Sequence, residues 1–226
     1  MESGPGRRQA PHLGRSVYRV AKHRAQRGHR SPKVGQSLRI RPVKRLDALL
    51  QLVPLEHLPR TGWIQRGIAH PESIAAHSLG AALIALALGD EVEPALETDR
   101  AVALLVVHDA PEAWLGDLPR AGSECLPTGA KREAEARIAD QLLGPLSGRA
   151  RAHFAEVSEA KTREARFAKA CDRLHLGLRL LAYLRAGQRG LDDFLEGLAA
   201  LHFEEFAVCE DLRLELVAAC RAELAR

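Results

Sequence analysis

Residues 102–117 read Val-Ala-Leu-Leu-Val-Val-His108-Asp109-Ala-Pro-Glu112-Ala-Trp-Leu-Gly116-Asp117. An apolar run with helical character ends abruptly on a His-Asp doublet, and Pro111 stands just beyond it. A carboxylate leaving a buried helix is costly unless it is paired or bound to a cation. The same conflict recurs twice. His77 sits one turn inside the apolar stretch 73–88, and Asp172 interrupts a segment, 167–184, with Leu at 174, 176, 178, 180 and 181. Three expensive polar positions on three apolar helices are explained together if His77, His108, Asp109 and Asp172 converge on one metal ion.

Helical spacing continues on both sides. Val43, Leu46, Leu49, Leu50 and Val53 mark one face of a helix that Pro54 ends. The stretch 73–88 is apolar nearly all round, which places it at the centre of the body. Thr98 serves as N-cap for a helix over 99–109. Further helices are expected near 129–143, 147–160, 162–186, 191–203 and 205–225. The last two, with Leu191, Phe194, Leu195, Leu198 and Leu201, suit either a core cover or a subunit contact. No run alternates with period 2 and β-branched enrichment, so the expected fold is an all-α globule of seven or eight helices over residues 41–226.

The net charge of +4 conceals two regions. Residues 1–45 hold 13 Lys/Arg against Glu2 alone, a charge of +12, whereas residues 46–226 hold 20 Lys/Arg and 28 Asp/Glu, a charge of −8. Residues 1–40 are rich in Arg, Gly, Ser and Pro and read as a disordered extension. It is a nucleic-acid or membrane-surface arm, a transit peptide, or a passive tail. The longest apolar stretch, Leu79–Leu88, is shorter than the roughly 20 residues a bilayer requires, so no membrane association is expected. Cys125, Cys171, Cys209 and Cys220 form no CxxC pair, and they read as buried thiols of a cytoplasmic protein.

Two imidazoles and two carboxylates form a mixed N/O set that suits Mn, Fe, Co, Ni or Zn better than Ca or Mg. Such an ion acidifies water and polarises a phosphoryl oxygen. Glu112, three residues after Asp109, is placed to move a proton. Asp117, following Gly116, is placed to accept from a sugar hydroxyl.

The segments Pro59-Arg-Thr-Gly-Trp63, His70-Pro-Glu-Ser-Ile-Ala-Ala-His77-Ser78, His108-Asp-Ala-Pro-Glu-Ala-Trp-Leu-Gly-Asp117 and Lys169-Ala-Cys-Asp172 resemble the ordered motifs of the HD-domain metal phosphohydrolases. Within them the likeness is to the 5'-deoxynucleotidases, of the YfbR-like and human HD domain-containing type, over about residues 43–200. The resemblance implies a metal held by His77, His108, Asp109 and Asp172, with Co2+ or Mn2+ first and Fe2+, Ni2+, Zn2+ or Mg2+ as alternatives. It implies Glu112 in proton transfer, Asp117 on the deoxyribose 3'-hydroxyl, Trp63 stacked near a nucleotide substrate, and a homodimer. YfbR-like members carry Arg directly before the Trp, where this chain has Gly62; Arg60 is the expected phosphate ligand and Arg66 the second choice. Ala76 stands where many relatives have an acid, and His175 is expected to be structural or to support a ligand. Deoxynucleoside triphosphates are the alternative substrate. A (p)ppGpp hydrolase fits less well, because Ala113 replaces the second acid of that family. A non-catalytic nucleic-acid binder would have to rely on the basic arm.

Overall fold

The computed structural model describes Met1 and residues 44–226. The expectations for residues 1–40, and Val43 of the first stripe, therefore lie outside the described residues. Eleven α-helices follow in order: α1 (Arg45–Leu52), α2 (Thr61–Ile64), α3 (Ile74–Leu88), α4 (Thr98–Val107), α5 (Glu112–Leu115), α6 (Arg120–Glu124), α7 (Ala130–Leu142), α8 (Gly148–Glu159), α9 (Arg163–Arg185), α10 (Asp192–Ala199) and α11 (Ala207–Leu224). No strand occurs among the described residues, where the sole β feature is an isolated antiparallel bridge between Pro59 and Ser73. The fold is all-α, and the helices of eight residues or more are those that periodicity marks.

The middle of the body is the long α9, packed against α3, α4, α8, α10 and α11. Leu104, Leu105, Leu174, Leu180 and Leu184 are buried at these contacts, each stabilising the fold by about 1.5–3 kcal/mol. Helices α3 and α9 begin on Ser73 and Thr162, whose side chains accept from the backbone N–H of Ala76 and Ala165. Both starts are thereby fixed, and so is the register of His77 and Asp172 within them.

Several expectations need correction or completion. Thr98 is the first residue of α4, and Glu97 precedes it as the cap. The stripe Leu46, Leu49, Leu50 and Val53 faces solvent, with Ala48 the buried residue of α1. Helix α3 is packed on one side only, because Leu79, Leu83 and Leu86 are 62%, 55% and 51% exposed. Its window Ile74–Glu91, of mean hydropathy 1.3, is long and apolar enough to cross a bilayer by length and composition only; here it packs against α9 and α4 and turns His77 inward. Finally, Cys125 is exposed, while Cys171, Cys209 and Cys220 are buried free thiols. Of the two roles open to α10, it covers the core: Leu191, Leu195 and Leu198 are buried against α9 and α11.

Candidate metal centre

Three local devices assemble the site. The bridge at Pro59 and Ser73 is closed by Arg60 N–H donating to Glu72 O (3.0 Å) and Ile74 N–H to Leu58 O (2.9 Å). It fastens the Pro59–Trp63 segment to the entry of α3. Helix α4 stops at Val107, so that His108 and Asp109 leave its end, and the one-turn helix α5 returns Glu112. Gly116 then takes φ 79°, a left-handed conformation open to glycine at little cost, and swings Asp117 back toward Thr61.

The four expected ligands come together. His77 Nε2 lies 2.7 Å from Asp172 Oδ1, and His108 Nε2 lies 3.1 Å from Asp109 Oδ2 and 3.8 Å from Asp172 Oδ1. One ligand atom each from His77, His108 and Asp109 falls within 4.8 Å of the others. His108 Nδ1 pairs with the Leu105 carbonyl at 2.7 Å, which orients the ring. Its Nε2 is buried with no hydrogen-bond partner. An orphaned imidazole nitrogen beside two carboxylates is what a cation ligand requires, and the N/O donor set fits a first-row divalent ion.

The charges are strongly coupled. Burial disfavours charge on His108, yet Asp109 and Asp172 outweigh it and push its pKa well above the ordinary value. Burial also works against ionised Asp109 and Asp172, but His108 holds Asp109 down, and His108 with His77 holds Asp172 well below the usual carboxylate range. The carboxylates thus draw positive charge into a buried space, and a divalent ion would satisfy the same demand. Glu112 behaves in the opposite way. Burial, with repulsion from Asp109 and Asp117, raises its carboxyl to about 9, and its Oε2 is buried without a partner.

Arg60 reaches the centre, its Nη1 being 3.5 Å from Asp109 Oδ2 and 3.8 Å from Asp117 Oδ1. Burial opposes its charge, but Asp109, Asp117 and Asp172 keep it protonated. It lines a cavity of about 890 Å³ together with Asp117, Leu118, Arg173, Phe194 and Leu198. Arg66 stays at the rim, paired with the exposed Asp193. Asp117 accepts from Thr61 N–H through Oδ2, and its carbonyl accepts from Thr61 Oγ1 at 2.8 Å, so it staples the Arg60 segment in place.

Trp63 is 1% exposed, stacked on Phe194 at 4.1 Å, and donates Nε1–H to Glu72 Oε1 at 3.1 Å. The sequence reading put this ring near substrate; Trp63 borders the cavity but is almost wholly buried, and the half-buried Phe194 stacked on it offers the more open aromatic surface there. The sequence reading gave no role in the site to Glu72, and it placed Phe194 only among residues that cover the core or meet a second subunit. Glu72 stands inside a quoted motif, but nothing in the chain signals that its carboxylate is buried. His175 Nδ1 lies 2.9 Å from His77 Nδ1; burial, His77 and Arg179 lower its pKa to about 3.

An HD domain family profile matches residues 54–197. The 5'-deoxynucleotidase hdd1 of Schizosaccharomyces pombe is 32% identical over 167 residues, which cover 70% of this chain and 80% of that protein. Human 5'-deoxynucleotidase HDDC2 is 30% identical over 164 residues, 70% of this chain and 78% of its own. Among solved structures, the PH0347 protein from Pyrococcus horikoshii OT3 superposes with a TM-score of 0.68 at 28% identity, over 77% of this chain and 99% of that one.

Proposed function

The chain belongs to the HD domain family, and from that premise we propose that it hydrolyses deoxyribonucleoside 5'-monophosphates to deoxynucleoside and phosphate. One observation carries the reading: a largely enclosed His/Asp cluster with an orphaned buried imidazole nitrogen adjoins a cavity into which a cationic guanidinium points. That the relatives named above are 5'-deoxynucleotidases supports the substrate class.

In this reading His77, His108, Asp109 and Asp172 hold one divalent ion, Co2+ or Mn2+ in preference. When bound there, such an ion acidifies water and polarises the phosphoryl group. Arg60 binds and orients the phosphate with its fork of donors. Glu112, protonated at neutral pH by its surroundings, gives its proton from Oε2 to the departing 5'-oxygen. Asp117 receives the 3'-hydroxyl on Oδ1, since Oδ2 is taken by Thr61. Arg66 and Trp63 serve from the rim and from behind, not in contact with phosphate. Two exposed apolar faces, Leu46, Leu49 and Leu50 on α1 and Leu79, Leu83 and Leu86 on α3, support a homodimer. The four free thiols support a cytoplasmic location.

The deciding experiment loads metal-free protein with Co2+ or Mn2+ and offers dAMP, dCMP, their ribonucleotide counterparts and dNTPs. Release of inorganic phosphate from the deoxynucleoside monophosphates is expected. Release of triphosphate or pyrophosphate from dNTPs, with monophosphates untouched, overturns the proposal.

A further inference from the structure

Behind His77 lies a second group of buried polar side chains, His175 and Glu72, that takes no part in the chemistry above. His77 uses both ring nitrogens. Nε2 faces Asp172 at 2.7 Å, and Nδ1 faces His175 Nδ1 at 2.9 Å, the rings meeting at 62° with centroids 4.9 Å apart. Two imidazole nitrogens at that separation pair only if one carries hydrogen and the other accepts. A His77 that presents a lone pair on Nε2 must carry its proton on Nδ1, which makes His175 Nδ1 the acceptor. Glu72 Oε2 stands 3.7 Å behind that nitrogen, and Glu72 is anchored by Trp63 through Oε1 and by its own N–H on Tyr183 Oη at 2.9 Å.

The ring of His175 has one place to lie. Gly80 follows His77 by three residues on α3, and a Cβ there would stand 1.9 Å from His175 Nε2 and 2.3 Å from Cδ2. Glycine opens the slot that the ring fills. Its absent side chain is thus explained by packing in the middle of a helix, where glycine ordinarily costs about 1 kcal/mol.

We propose that His175 is a positioning residue: by accepting the Nδ1 proton of His77 it fixes the tautomer that leaves Nε2 free for a divalent cation, and Gly80 supplies the slot that keeps it there. The proposal rests on the reading of His77 as a metal ligand. Partners of ligating histidines typically contribute 10–100-fold in metal affinity. A residue present only for packing would shift the melting temperature and leave metal affinity alone.

The test titrates metal-free full-length protein with Co2+, followed by calorimetry and the visible Co2+ absorption. The proteins are wild type, His175→Leu, His175→Asn and Gly80→Ala. His175→Leu is expected to weaken Co2+ binding about 10–100-fold and alter the spectrum, with the metal-free protein still cooperatively folded. His175→Asn, whose amide oxygen can accept near the Nδ1 position, keeps affinity within about threefold of wild type. Gly80→Ala loses affinity although His175 is still present. If His175→Leu does not fold, Gly80→Ala combined with His175→Ala trades ring for methyl and is expected to show the same loss. The proposal falls if the Leu variant or this pair binds Co2+ like wild type, or if Asn and Leu lose equally. A wild-type protein that binds no Co2+ overturns the ligand reading itself, and this proposal with it.

Discussion

On its inner face helix α3 holds His77 fully buried, and three residues later Gly80 yields space to His175. On its outer face Leu79, Leu83 and Leu86 are each more than half open to solvent. The sequence of the helix is apolar on both sides, so composition alone cannot tell them apart. What separates them is the demand each makes on its surroundings. The inner face places polar groups where water is excluded, and every one must find a partner or an ion. The outer face has no unmet polar group, only uncovered carbon. Chemistry follows from the first kind of debt and association from the second, and substitutions on the two faces should therefore fail differently.

The largest effect is expected at the inner face. Asp172→Ala removes the carboxylate that meets both His77 and His108. Bound metal, measured by elemental analysis, should disappear, and phosphate release should drop roughly 10³-fold, about 4 kcal/mol of barrier. The circular dichroism spectrum should remain helical, because Asp172 caps no helix and fills no core contact. A variant with full metal content would break the contrast at its strongest point. Chelator treatment of wild type should give the same loss, reversed by Co2+ or Mn2+.

Glu112 tests a subtler inner-face property. Glu112→Gln should keep metal and lower kcat about 10²-fold. Because the acid form is the working one, wild-type activity should decline with rising pH, its alkaline limb lying below the value of about 9 that holds without metal, since the positive charge of a bound cation favours the carboxylate. The Gln variant should lack this alkaline limb. Stability carries the same sign. In metal-free protein the folded carboxyl keeps its proton up to about 9, whereas in the unfolded chain it releases it near 4.5. Between those values the folded state binds more protons, so stability falls with rising pH, by at most about 1.4 kcal/mol per unit. Urea melts of metal-free wild type and Glu112→Gln across that range isolate the difference.

Arg60→Ala should come next, with kcat/KM reduced about 10–100-fold, mostly through KM, as for loss of charge-assisted hydrogen bonds worth about 1.5–3 kcal/mol. Arg66→Ala, whose partner is the exposed Asp193, should change it less than about threefold. Equal losses at the two positions would mean that the segment around Thr61 moves on binding.

How much of this the chain discloses differs between the two faces. The clustering of His77, His108, Asp109 and Asp172 was legible because each is a costly residue in an apolar run, a conflict that sequence displays directly. The long helices were legible from their period. The one-turn helices α2, α5 and α6 were not, because four or five residues carry no period and are held by tertiary contacts, as Thr61 is by Asp117. His175 could be singled out by its spacing of three from Asp172, but its partner could not, since the pairing crosses from α9 to α3. Trp63 was only half legible, because a large aromatic in a motif signals either a ligand face or an anchor, and its hydrogen bond to buried Glu72 shows the anchoring part. The leucines of α3 were read as core and the stripe of α1 only as one helical face, since period reports that a face is apolar and not what covers it.

The smallest catalytic effect belongs to the outer face. Leu83 lies in the middle of the exposed stripe of α3, flanked by Leu79 and Leu86 one turn away on either side. If a second copy covers this face, Leu83→Glu buries an unpaired carboxylate in an apolar contact, which costs several kcal/mol. Light scattering should then show half the wild-type mass. Phosphate release at saturating substrate should stay within about twofold, because Leu83 points away from His77 and the variant leaves every inner-face partner in place. A stable interface needs about 800 Å² from each partner, more than three leucines provide, so the contact must extend onto a neighbouring element. The exposed Val106 of α4, a helix packed against α3, and the stripe on α1 are the two extensions available. Val106→Glu and Leu50→Glu choose between them: the one that also halves the mass marks the side on which the partner sits. If all three charged variants keep the wild-type mass, the outer face is not the site of self-association, and apolar exposure on α3 would then be no guide to a partner.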